Sequence, residues 1–259
     1  MSQSQQAYIS SKAQIGQNVT IEPFSYIGDD VIIGDNTWIG PHVSIFNGAR
    51  IGKNCRLYPG CVISPEPQDL KFEGEITTVE IGDFTSIREH VTIHRATKDK
   101  WKTVVGSHCL IMVGAHIAHD CQLGNNVILA NGVGLAGHCV IDDYAIIEGL
   151  AGVQQFVHIG AHAFVAGGSL VRKNVPPYVK AAKEPVQFVG VNSVGLKRRG
   201  FSDQAVREIE DIYRTIYVRG YNLTNALAIV ETEAPASVEK DLIINFIKNS
   251  PNGIMRGLS

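Results

Sequence analysis

Every sixth residue over most of this chain is aliphatic. From Ile9 the steps land on Ile15, Ile21, Ile27, Ile33, Ile39, Ile45, Ile51, Leu57 and Ile63. The phase resumes at Ile81, Ile87 and Ile93, and runs again from Val105 to Val171. The fourth residue after each aliphatic one is nearly always small, as in Ala13, Val19, Ser25 and Val31. A period of six suits neither a 3.6-residue helix nor a simple two-residue strand. It suits a coil with three flat faces of six residues each, about 18 residues per turn, which is the hexapeptide pattern of a parallel β-helix. The aliphatic residue fills the interior and the small one sits near a corner.

The phase breaks twice before residue 171, and each break predicts a loop. Asp69 and Glu75 stand where aliphatics belong, so 64–78 leaves the wall, replacing one turn's worth of chain. Asp99 marks the second excursion, at 98–104. Loops on a rigid solenoid commonly carry function. Pro177 occupies the next aliphatic slot and ends the pattern, since proline cannot donate to a central ladder. Beyond it the period becomes helical. A helix capped by Ser202 presents Val206, Ile209, Ile212 and Ile216 and stops before Gly220; a weaker one follows in "TNALAIVETEA", and a third, capped by Ser237, stops before Pro251. The expected division is a β-helix over 1–180 and a connecting segment with a C-terminal helical domain over 181–259.

Composition excludes several classes. With 44% hydrophobic residues and a formal net charge of -2, disorder is not expected and nothing electrostatic asks for nucleic acid. No charged residue lies between Asp120 and Asp142, but Asn125, Asn126, Asn131, His138 and four glycines make that stretch a poor membrane-spanning helix. The opening "MSQSQQAYIS" has no basic region and no apolar core, so a secretory signal is not expected and a cytoplasmic location is. Cys55, Cys61, Cys109, Cys121 and Cys139 all occupy the small slot, which reads as five buried thiols in a reducing compartment.

Residues 18 apart should lie one above another at roughly 4.8 Å. His119 then lies under Gly137, Gly137 under Gln155, and Asp120 under His138. His116, His119, His138, Gln154 and Gln155 therefore gather on one patch of wall. Three readings fit it. The polar side chains could simply satisfy corner backbone groups. His94, His116 and His119 could hold a metal, as in the hexapeptide-fold carbonic anhydrases, although their spacing departs from that family's ligand set. Or His119, oriented by Asp120, could act as a general base while the Gly137 N–H stabilises an oxyanion.

The strings "HIAHDC", "QDLKF" followed by "GE", "IREHVTIHR", "QQF" and "GVN" followed by "GLKRRGF" closely resemble the UDP-N-acetylglucosamine O-acyltransferase family of lipid A synthesis. The resemblance runs nearly end to end. It implies a mainly β fold, a left-handed parallel β-helix with a C-terminal α-helical domain, although ordinary parallel crossovers are right-handed. It implies transfer of an R-3-hydroxyacyl group from acyl carrier protein to the 3-hydroxyl of UDP-N-acetylglucosamine, by a homotrimer with sites between subunits and no cofactor or metal. By the same resemblance His119 is the base, Asp120 its partner and Gly137 the oxyanion donor. Asp69, Lys71, His116, His138 and Gln155 match sugar-site positions, and Asn192, Arg198 and Arg199 match nucleotide positions. Arg forks suit a diphosphate, although "KRR" also reads as a solvated surface patch. Arg88, Arg95, Arg172 and Lys173 could dock the acidic carrier. Gly167 matches the position limiting acyl length, and its lack of a side chain predicts a long donor, around 14 carbons or more. Two departures touch binding detail: Gln154 stands where the family commonly has histidine, and Val194 where it commonly has glutamate. A metal-dependent lyase or hydrolase, a sugar N-acyltransferase and a non-catalytic scaffold are the competing functions.

Overall fold

A computed structural model describes residues 2–257. The chain winds into a triangular prism of three parallel sheets with eleven, nine and eight strands, most only two residues long. Up to Val171, consecutive strands fall in different sheets and each pairs in parallel with the strand one turn away. The predicted interior column is the core: Ile21, Ile27, Ile33, Ile39, Ile45, Leu57, Ile63, Ile87 and Ile93 are all buried. The two excursions are insertions between turns. Arg56 pairs with Ser86, thirty residues on, and Ser86 with Leu110, twenty-four on. Against an 18-residue turn such as Ile128 to Ile146, the loops therefore add twelve residues and six. The expected spacing of 18 fails across these loops, so that His116 pairs with Thr92, and holds above them, where Gly134 pairs with Gly152. Because both insertions are multiples of six, the linear phase survives.

The corners explain the rest of the hexapeptide. The third residue after most of the aliphatic ones turns through the left-handed region, as at Asn18, Asn36, Asn54, Asp120, Asn126, His138, Tyr144, Phe156 and His162, with φ between 54° and 66°. For most L-residues this costs about 1–2 kcal/mol, and asparagine and aspartate tolerate it best. The small slot beside it also does more than save space. Ser25, Thr37 and Thr85 donate their hydroxyls to corner carbonyls of Gly40, Gly52 and Gly106 at 2.8–2.9 Å. Cys55, Cys109, Cys121 and Cys139 aim their thiols at equivalent carbonyls, 3.2–3.3 Å away. All five cysteines are buried and free, and burial pushes Cys61 up to about 12, and Cys55 and Cys109 to about 11.

The solenoid ends in a β-hairpin, Val179–Ala182 against Gln187–Val191, that continues the eleven-stranded sheet. Four helices follow: α1 (Ser193–Arg198), α2 (Asp203–Tyr217), α3 (Leu223–Glu233) and α4 (Val238–Lys248). Ser202 and Ser237 cap α2 and α4 as predicted, accepting from Ala205 N and Lys240 N. The short α1 was not predicted. The buried face of α2 shares one apolar core with the prism, and Tyr213 Oη donates to Pro177 O at 2.6 Å.

Candidate active site

A groove of about 650 Å³ runs along the outside of the nine-stranded sheet, lined by His116, His119, Gly134, Gly137, Gly152, Gln154, Gln155, Leu170 and Arg172, with Gln68 from the first loop. Its floor follows from register: His116, Gly134, Gly152 and Leu170 occupy one outward column on four successive rungs. Two glycines there leave a trough, with Leu170 closing one end.

His119 stands at the corner bordering this groove, with only 6% of its surface exposed. Its Nδ1 donates to Asp120 Oδ2 at 2.7 Å, so the neutral ring leaves Nε2 as its acceptor. Asp69, from the first loop, brings Oδ2 to 4.0 Å from that Nε2. Asp120 is 1% exposed. Burial pushes its carboxyl up, but hydrogen bonds from His119 and from the Thr97 hydroxyl and amide together outweigh that and hold it below the usual carboxylate range. His138 stacks between His119, edge-on at 5.2 Å, and Phe156, face-on at 4.7 Å. Its Nδ1 lies 3.1 Å from Asp99 Oδ2 but out of line for a hydrogen bond. Burial lowers the pKa of both His94 and His116.

Gly137 is packed against the base: a Cβ added there would come within 2.6 Å of His119 Cε1. Its carbonyl accepts from Phe156 N, and among the described residues no acceptor takes its own N–H. His119, Asp120, Gly137, Asp69, His116, Gln154, Gln155 and His138 are thus brought together. Lys71 is not: its side chain is exposed, and only its backbone N–H reaches inward, to Asp69 Oδ1 at 2.9 Å. Gly167 lies outside the groove within one chain, and its N–H faces Glu148 Oε2 at 3.3 Å.

The expected nucleotide residues lie at another corner of the prism. Asn192 Nδ2 donates to His162 O at 3.0 Å, and Arg199 sits over the Tyr144 ring with Nη1 3.2 Å from His162 Nδ1. Arg198 is exposed on α1. Of the four cations expected to dock a carrier, Arg172 lines the groove. Arg88 pairs with Glu89 at 3.0 Å, Arg95 with Glu66 at 3.3 Å, and Lys173 Nζ donates to Asn252 O at 2.8 Å.

The metal trio does not converge. His94 Nδ1 donates to Glu66 O and His116 Nδ1 pairs with the Thr92 hydroxyl. Among the described residues the group whose ligand atoms lie within 4.8 Å of one another is His119, Asp120 and His138. There the carboxylate is already surrounded by N–H and O–H donors, an environment built for an anion rather than a cation. Sequence reasoning missed Thr97, Lys100 and Gln68; the loss of phase marked the loops of Gln68 and Lys100 but not Thr97, and only the path of the chain reveals what they touch.

Residues 174–255 match the family described as Udp N-acetylglucosamine O-acyltransferase, domain 2, and residues 12–47, 30–65 and 102–137 match the bacterial transferase hexapeptide family. The chain is 47% identical over 251 residues, 96% of each protein, to an acyl-(acyl-carrier-protein)–UDP-N-acetylglucosamine O-acyltransferase of Aliivibrio fischeri MJ11. Its fold is similar to that of a UDP-N-acetylglucosamine acyltransferase from Bacteroides fragilis 9343, with a TM-score of 0.97 and 47% identity over 98% of this chain and 99% of that one. It is also similar to the Arabidopsis UDP-N-acetylglucosamine acyltransferase, with a TM-score of 0.82 and 31% identity over 98% of each.

Proposed function

The chain belongs to the UDP-N-acetylglucosamine O-acyltransferase family, and from that membership we propose that it moves an R-3-hydroxyacyl group from acyl carrier protein to the 3-hydroxyl of UDP-N-acetylglucosamine, the first step of lipid A biosynthesis. The observation that carries this reading is the pairing of a bound Nδ1 and an available Nε2 on His119 with the unclaimed Gly137 N–H beside it. The sugar hydroxyl attacks the thioester carbonyl as His119 Nε2 takes its proton, and the negative charge that develops on the carbonyl oxygen falls to the Gly137 amide. Collapse of the tetrahedral adduct expels the carrier thiolate, which receives the proton back from the imidazolium. Asp120 orients the ring and stabilises its charged form without becoming protonated.

Asp69, His116, His138, Gln154 and Gln155 are assigned to the sugar, with Lys71 contributing from the loop. Asn192, Arg198 and Arg199 are assigned to the nucleotide. Because these last three lie at a different corner from His119, a complete site requires a second copy of the chain, and a homotrimer is the assembly we infer. A column of Leu110, Ile128, Ile146 and Phe164 on the outward face of the eleven-stranded sheet supports self-association. The acidic carrier is taken to approach Arg172, with Arg88, Arg95 and Lys173 as further cations. Gly167 as the limit on acyl length then acts in the assembled site, and a long donor is expected. We retain the division at residue 180 between solenoid and helical appendage, and a cytoplasmic location; among the described residues no helix is long and apolar enough to cross a membrane.

The test is one assay of UDP-N-acetylglucosamine with 3-hydroxyacyl carrier proteins of graded length, using the wild type and His119→Ala. The variant should lose roughly a hundredfold or more in kcat with KM little changed, the scale of a removed general base. Undiminished turnover by His119→Ala would overturn the mechanism, and highest kcat/KM on ten-carbon donors would overturn the length assignment. Acylation at nitrogen of an amino-sugar nucleotide in place of the hydroxyl would identify an N-acyltransferase instead.

A further inference from the structure

We propose that Thr97 is a positioning residue for the acyl transfer, holding the Asp120 carboxylate so that His119 keeps its proton on Nδ1 and presents a bare Nε2 to the substrate. The assignment rests on the reading of His119 as the base.

Thr97 sits in a small slot of the hexapeptide, four residues after Ile93, and is buried. Elsewhere a hydroxyl in that slot donates to a corner carbonyl, as Ser25, Thr37 and Thr85 do. Thr97 instead donates to a side chain: its Oγ1 reaches Asp120 Oδ2 at 2.8 Å, and its backbone N lies 3.2 Å from both carboxylate oxygens. The Lys100 amide adds a donor to Oδ1 at 3.1 Å, while Thr103 Oγ1 accepts from Asp120 N at 2.9 Å. The six-residue insertion thus wraps a cradle of donors around the carboxylate.

A carboxylate has about four lone-pair sites, and when the loop fills most of them the remaining direction points at His119, which fixes the ring and its Nδ1–H tautomer. The other groups facing His119 are Asp69, 4.0 Å from Nε2, the perpendicular His138 ring, whose Nδ1 faces Asp99, and the His94 and His116 imidazoles, whose burial disfavours their charged forms.

The experiment compares kcat and KM for the wild type, Thr97→Val, Thr97→Ala and Thr97→Ser, with the Nδ1 proton of His119 followed by NMR in the unliganded protein. Removing the hydroxyl should lower kcat roughly tenfold or more, the scale of a hydrogen bond to a charged group, and leave KM nearly unchanged. Serine should restore kcat. A wild-type kcat in valine and alanine variants would overturn the proposal, as would a loss that serine does not repair. Should Thr97→Val not fold, alanine is read in its place. The NMR signal separates the two levels: a protected Nδ1 proton, kept with serine and lost with alanine or valine, supports the positioning role even if the wild type fails to acylate the sugar hydroxyl, whereas a signal indifferent to Thr97 overturns it.

Discussion

Two corners of the same prism share one backbone path and do opposite things with it. At the corner carrying Asn18, Asn36, Asn54 and Asn126, four turns close on the next. Asp35 accepts the Gln17 N–H at 2.8 Å, Asp83 that of Lys53 at 2.7 Å, Asn125 that of Ser107 at 2.8 Å and Asp143 that of Asn125 at 2.6 Å. At the corner carrying Asp120, His138 and Phe156 the left-handed turns recur with the same φ, yet the corresponding amide is Gly137 N and the residue one turn above it is Gln155, which does not take it. The first corner claims four of its amides in this way. The second leaves one open beside an imidazole, so its chemistry begins with a hydrogen bond that the repeat makes at those four rungs and omits here.

Converting one corner into the other gives the largest expected effect. Gln155→Asp places at the Gly137 rung the carboxylate that Asp143 supplies at the Asn125 rung, and should claim the open amide. Turnover should fall about 10²–10³-fold, the scale of a lost oxyanion donor, and well below that of Gln155→Ala measured alongside. Equal kcat in the two variants would mean that the open amide carries no catalytic weight.

A smaller effect belongs to the first corner and depends on pH. Burial, with the Arg199 charge beside it, pushes His162 down to about 4 from its ordinary 6.5. As pH falls, the unfolded chain binds this proton before the folded one does. The stability contributed by the neutral ring is complete above about pH 6.5 and drains towards pH 4, by up to roughly 3 kcal/mol. Thermal unfolding of His162→Asn against wild type should show the acid-induced decline flattened in that window; parallel curves would remove His162 as its source. The least effect is expected from Asp143→Ala, which orphans the Asn125 N–H. It should cost about 1–2 kcal/mol in denaturant unfolding and leave kcat unchanged, and a fall in kcat would break the separation between the two corners.

The architecture was open to reading because aliphatic residues at a fixed period admit few packings, and because loops of twelve and six residues do not disturb a count by sixes. The same count placed His119, Gly137 and Gln155 on adjacent rungs. What it could not supply was contact made by chain that leaves the wall. Thr97, Lys100 and Asp99 reach the corner through a loop whose course no period dictates, and Lys71 sits in such a loop without its side chain arriving. The nucleotide set lay beyond reach for another reason: Asn192 and Arg199 fold against His162 and Tyr144, so their relation to the base depends on an arrangement of copies. The left-handed residue three positions after most of the aliphatics was not read from the sequence; it emerged only with the backbone, where Asn, Gly and His recur at it.

The twelve- and six-residue insertions have a further consequence for how such a chain can be rebuilt. Each turn of the wall pairs only with the one above and the one below, and the base, its carboxylate and the open amide span two adjacent turns. Splicing an extra 18-residue turn between Asn18 and Asn54 would make the prism taller while leaving the reactive corner's own spacing intact, so height is a quantity an engineer can change separately from chemistry.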